Sequence, residues 1–190
     1  MNDLILCLYG CGFSDSFKIT FGDNNGIVLV VFFSFGSDFS QFIQSLPQIG
    51  SKLKSLKLFA IRLTYDDLAS ISLIVNNCPN LEEFSLFWFG IMTSETIAYL
   101  CENLTPNILK LDIRIWNCKT EEGLNDNNIR ALVKSCPKLK ILDIRCNENV
   151  NYQSLVAICD GLHFLECLGL PDSIGDELGL TNNINLSKMD

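Results

Sequence analysis

The sequence predicts a curved α/β solenoid, with parallel strands on the inner face and helices on the outer face, and three observations carry that expectation. The first is a recurring L-x-x-L-x-L core. It reads Leu53, Leu56, Leu58, then Leu81, Phe84, Leu86, then Ile108, Leu111, Ile113, then Leu139, Leu142, Ile144, and finally Leu165, Leu168, Leu170, at steps of 28, 27, 31 and 26 residues. The second is the segment after each core: a polar residue able to start a helix, then apolar residues three and four apart, so that the unit is strand, turn, helix. The third is composition, since 48% hydrophobic and 10% aromatic residues in a chain of 190 supply a continuous core and exclude disorder. A unit of this length cannot bury its own apolar face, so successive units stack.

Taken in order, Leu6, Leu8 and Cys11 occupy the strand and turn positions of a repeat entered part-way. No polar cap precedes them, which leads to the expectation of a longer parent chain. Ile27, Val30 and Phe32 give a degenerate strand, with Phe39, Phe42, Ile43 and Leu46 as the apolar stripe of the helix after it. From residue 53 the register is clear. Thr64 with Asp66 and Asp67 begins a helix buried through Leu68, Ile71 and Val75, and Thr93, Ser94 and Glu95 begin one buried through Ile97 and Leu100. Asp126 precedes Ile129, Leu132 and Val133, while Asn151 precedes Leu155 and Ile158. Cys78-Pro79 and Cys136-Pro137 end helices, because proline lacks the donor that would continue the ladder, and Pro106 does similar work before Ile108. The longest step places its extra length at Asn117–Gly123, a rim loop that reads either as plain solvated chain or as an insertion beside a binding face. The whole is a single domain over residues 1–190, with clear repeats at about 46–180 and degenerate ones over 1–45.

Several function classes are excluded by what is missing. A net charge of −8 and a pI near 4.6 leave no basic tract for nucleic acid. The nine cysteines are odd in number and follow the repeat, so they are read as reduced, and those ending apolar helices (Cys78, Cys136, Cys159) as small buried hydrophobes. With no Cys-x-x-Cys pair and His163 alone, no metal site is expected. Gly10-Cys11-Gly12 lacks the third glycine of a dinucleotide loop, and no nucleophile stands beside a base, so neither a cofactor nor a catalytic residue is assigned. Asp3 stands where a secretory signal would carry positive charge, and Ile27–Phe35 is about half the length of a membrane span, so a cytoplasmic or nuclear protein without a membrane segment is expected.

What remains is the strand face opposite the core. Residues between the apolar ones point outward and line up across a parallel stack. One column reads Phe59, Phe87, Arg114, Arg145, Pro171; the column two residues earlier reads Lys57, Ser85, Asp112, Asp143, Gly169. Two readings stand side by side. Each Asp pairs with a nearby Arg and the face is merely solvated; or Phe59, Phe87, Arg114 and Arg145 anchor a protein partner, with Lys57, Asp112 and Asp143 setting specificity.

Cys78-Pro79-Asn80-Leu81, Cys136-Pro137-Lys138-Leu139, Leu63-Thr64-Tyr65-Asp66 and Val150-Asn151-Tyr152-Gln153 resemble the leucine-rich repeats of the cysteine-containing, ribonuclease-inhibitor-like subclass, as in F-box/leucine-rich-repeat proteins. The chain departs from that pattern where Ile61, Phe89 and Trp116 replace the subclass's Cys or Asn, and no F-box sequence is visible. The resemblance implies a non-catalytic protein-binding module. It would recognise the substrate of an SCF-type ubiquitin ligase in ubiquitin-dependent degradation, with a cullin-type ligase adaptor as partner only if an F-box lies on the full-length chain. A free-standing scaffold or inhibitor and a GTPase-activating regulator are the alternatives, separable by an upstream F-box or by a catalytic arginine acting on a bound GTPase.

Overall fold

The computed structural model describes residues 6–9, 16–22, 26–33, 50–61, 75, 77–89, 93–116, 123–179 and 183–186. Among the described residues nine strands form one sheet in chain order: β1 (Leu6–Tyr9), β2 (Ser16–Gly22), β3 (Gly26–Phe33), β4 (Leu53–Ile61), β5 (Glu83–Phe89), β6 (Lys110–Trp116), β7 (Ile141–Asp143), β8 (Cys167–Gly169) and β9 (Asn183–Asn185). From β3 to β8 every neighbour is parallel. The described helices are α1 (Ser94–Glu102), α2 (Asp126–Ser135), α3 (Tyr152–Gly161) and α4 (Asp172–Leu178), and α2 packs between α1 and α3.

Period and packing agree. Leu56, Phe84, Leu111 and Leu142 are directly paired in register and fully buried, and Leu168 comes next at 4% exposure. They share one core with Ile97, Leu100, Ile129, Leu132 and Ile158 of the helices, which places the helices on that face of the sheet. Leu165 alone among the repeat leucines is only half-buried. It borders an apolar groove of about 320 Å³ between α3 and the last strands, where Ile184 and Leu186 supply part of the wall.

Helix starts coincide with the polar residues. Thr93 caps α1 by accepting from the Thr96 amide, and Asn151 caps α3 by accepting from the Gln153 amide. In α2 the cap is Asn125, one residue before the expected Asp126; its side chain accepts from the Asn128 amide while Asn128 accepts from the Asn125 amide. These caps also tie neighbouring units together. Asn128 Nδ2 donates to the Ser94 carbonyl at 3.1 Å, Asn151 Nδ2 donates to Asp126 Oδ2 at 3.0 Å, and the Ser154 hydroxyl donates to Asp126 Oδ1. The helix expected at Thr64 lies outside the described residues except for Val75, which is helical and buried; Phe39 to Leu46 and most of the Asn117–Gly123 loop also lie outside them.

The N-terminal pairing departs from a part-entered repeat. A repeat strand at Leu6 and Leu8 would sit parallel to the next, whereas β1 is antiparallel to β2 and β2 to β3. At the other edge β9 folds back antiparallel onto β8.

Candidate functional site

The columns read from the sequence are physical rows. Lys57, Ser85, Asp112, Asp143 and Gly169 are successive register partners, as are Phe59, Phe87 and Arg114. Arg145 lies two residues past Asp143, just beyond the end of β7. Alternation extends the face one step earlier to Ser55, Glu83 and Lys110, which are also register partners; the two sequence columns omit them, although the same rule reaches them.

The aromatic half is a stack. Phe59 and Phe87 lie 4.5 Å apart at 5°, Trp116 continues the row 6.3 Å from Phe87 at 20°, and the Arg114 guanidinium sits 5.0 Å from the Phe87 centroid. These rings therefore cover one another and are half-buried rather than freely exposed. Trp116, which departs from the repeat pattern, supplies the third ring.

The charged half is a chain of shared bonds. Arg114 grips Asp112 through Nε to Oδ1 at 2.8 Å and Nη2 to Oδ2 at 2.9 Å, and the same Nη2 reaches Asp143 Oδ2 at 2.7 Å. Arg145 donates to Asp143 through Nε at 2.9 Å and Nη2 at 2.6 Å. The aspartates thus pair with the arginines, as the first of the two readings required. Burial holds the Asp112 carboxyl above its usual pKa, with the Asp143 charge adding to the shift and Arg114 opposing it. At Asp143 burial pushes the same way, but the Arg145 hydrogen bonds and the Arg114 charge outweigh it and hold the carboxyl below its usual value. Gly169 closes the row for a steric reason: a Cβ there would lie 2.7 Å from Asp143 Oδ1.

By this geometry Arg114 serves the fold as well as the surface. Asp112 and Asp143 have side chains only 11% and 14% exposed, and Arg114 is what neutralises the space between them. Lys57 is half-buried beside Ser85 and, among the described residues, makes no ion pair. A cavity of about 250 Å³ opens beside this row, walled by Lys110, Asp112, Arg114, Asp143, Cys167 and Gly169.

Elsewhere the side chains serve the fold. Asn147 is 2% exposed and its Nδ2 donates to the carbonyls of Ile113, Ile144 and Arg145 at 2.7, 2.8 and 3.1 Å. It stands three residues after Ile144, at the offset Trp116 holds after Ile113. Cys78, Cys101, Cys136, Cys146 and Cys159 are free thiols; burial pushes Cys78 up to about 11 and Cys136 to about 12. Cys159 is exposed instead of buried and borders the apolar groove. His163 sits exposed in a turn. Among the described residues no group of His, Cys, Asp and Glu is placed to hold a metal, and no helix is long and apolar enough to cross a membrane.

No family model matches the chain. A curated relative, the F-box protein MAX2 homolog A of Petunia hybrida, is 26% identical over 152 residues, which is 70% of this chain and 21% of that protein. The chain spans about a fifth of that relative's length and is distantly similar to an F-box protein.

Proposed function

We propose that the chain is a leucine-rich-repeat solenoid that serves as the substrate-binding part of an F-box type receptor in an SCF ubiquitin ligase. The observation that carries this reading is the distant likeness to an F-box protein, found in a chain whose parallel strands align one row of aromatic and charged side chains opposite the core. A row of that kind gathers residues remote in sequence into one surface, and aromatic and arginine side chains are the usual energetic centres of protein interfaces. The module binds and does not catalyse. Its partners in this reading are a protein substrate on the inner face and, through an F-box on the full-length chain, a cullin-type ligase adaptor.

The test is immunoprecipitation of the full-length gene product, wild type and Phe87→Ala, with thermal melting of both. Recovery of the adaptor by both proteins, with one substrate protein lost and accumulating in cells carrying Phe87→Ala, is the expected result. Absence of the adaptor from the full-length protein refutes the ligase role and leaves a free-standing binding protein. Unchanged substrate recovery from a Phe87→Ala protein that melts normally removes the inner face as the binding surface.

A further inference from the structure

The strand β9 interrupts the repeat and yet continues its core. Ile184 follows Leu168 by 16 residues, against steps of 26 to 31 between the repeats, and the chain reaches β8 antiparallel after the short α4. Even so, Ile184 is the register partner of Leu168, which adds one more apolar residue to the buried row that runs from Leu56 to Leu168. Two residues on, the Leu186 amide donates to the Glu166 carbonyl at 2.8 Å. Ile184 and Leu186 are half-buried against the core, while Asn185 between them is exposed. Without β9, β8 would be the edge of the sheet. Its residues Cys167, Leu168 and Gly169 include none of the charges or prolines that keep edge strands from pairing. Leu168 would lose its cover there, beside Leu165, which is only half-buried as it is. The outer side of β9 is a weaker template, because the apolar residues behind it are already packed against the core.

From this arrangement we propose that β9 is an edge guard, holding the place that β8 of a second copy of the chain would otherwise take. The second copy fits because β9 itself displays what the β8 edge accepts: an antiparallel strand with a branched apolar residue opposite Leu168. Two β8 strands related by a two-fold axis meet in the same sense, Leu168 against Leu168, and each closes the leucine row of the other. The guard is lightly held. β9 has a three-residue ladder on one side only and two half-buried anchors, whereas β5 is paired over seven residues on both sides, so β9 opens more readily. Self-association guarded in this way is independent of the receptor role.

The test compares the whole 190-residue chain with its Ile184→Asn/Leu186→Asn variant, which removes the two anchors without adding charge. Sedimentation equilibrium from about 5 μM to about 200 μM reads self-association, and hydrogen exchange of the peptide over residues 165–170 reads the β8 edge at both ends of that range. In the variant, protection of that peptide is expected to fall about tenfold at the low concentration and to return at the high one, with self-association about tenfold tighter than in the wild type. Circular dichroism establishes that the variant is folded; Ile184→Asn alone is the milder variant if the double substitution unfolds the chain, and it should give the same pattern at smaller size. Association through the β1 edge at the far end of the sheet is common to both proteins and cancels in the comparison. Wild-type protection of residues 165–170 in the dilute variant means that these side chains do not hold β9. Lost protection with unchanged self-association means that the bare β8 edge takes no second copy. Either result overturns the proposal.

Discussion

Replacing Arg114 by Met at neutral pH keeps an apolar stem of similar length and removes the guanidinium, including the group that sits over Phe87. Asp112 then loses both of its charged hydrogen bonds, and Asp143 loses one while keeping Arg145. A hydrogen bond to a charged group contributes about 1.5–3 kcal/mol, and removing one partner of a fully buried pair costs about 3–5 kcal/mol. Because Arg114 is 23% exposed and Asp143 stays paired, the expected cost is about 2–3 kcal/mol. The cost depends on pH with a definite sign. The Asp112 pKa is already raised by burial, and losing Arg114 removes the interactions that lower it. A folded-state carboxyl pKa above the unfolded one gives stability that is present in acid and lost as pH rises through the folded value, so the penalty of the variant shrinks between pH about 7 and pH about 5. Urea unfolding at both pH values, followed by circular dichroism, measures it, and Arg114→Met/Asp112→Asn should recover most of the loss at neutral pH. A penalty below about 1 kcal/mol at pH 7, or one of equal size at both pH values, refutes the assignment of Arg114 as the neutralising group.

Leu111→Ala removes the centre of the buried ladder between Phe84 and Leu142 and should cost about 2–5 kcal/mol in the same unfolding assay; a cost under about 1 kcal/mol would mean that the register is misread. Gly169→Ala pushes a methyl group against Asp143 and should lower the melting temperature and weaken the Asp143–Arg145 pair, whereas the same substitution at Gly179, where nothing lies within 4 Å but φ is +64°, tests backbone strain alone. Brief alkylation of the native chain at about pH 8, read by peptide mass spectrometry, should label Cys159 early and Cys78, Cys101 and Cys136 last, since burial shields the latter and suppresses their thiolates. Early labelling of Cys136 would contradict its place in the core.

The rows of the strand face opposite the core were legible because a fixed period and a two-residue alternation leave one parallel register in which the repeat leucines turn toward the core. Lys57, Ser85, Asp112, Asp143 and Gly169 therefore fell into line without knowledge of any side-chain torsion. The direction of β1 and β2 was not legible, since alternating apolar residues look the same in a parallel and an antiparallel strand. The bridging of two aspartates by Arg114 depends on rotamers, which spacing does not encode. The reason for Gly169 lies in Asp143, a residue 26 positions earlier in the sequence, and appears only once the two strands are adjacent. Trp116 looked like a lapse in the repeat, yet it is the third ring of the stack.

The strands after β6 are held differently from those before it, with three-residue pairings from β6 through to β9. Pairing falls from seven residues between β5 and β6 to three between β6 and β7. On the helix side the same junction is riveted: Asn151 and Ser154 at the start of α3 both hold Asp126 at the start of α2. The seam between β6 and β7 is thus held by few ladder bonds on the strand side and by side-chain bonds at the helix starts. On the strand side the short ladder is supplemented by one guanidinium, since Arg114 of β6 bonds both Asp112 on its own strand and Asp143 on β7 and so ties the two strands where backbone pairing stops.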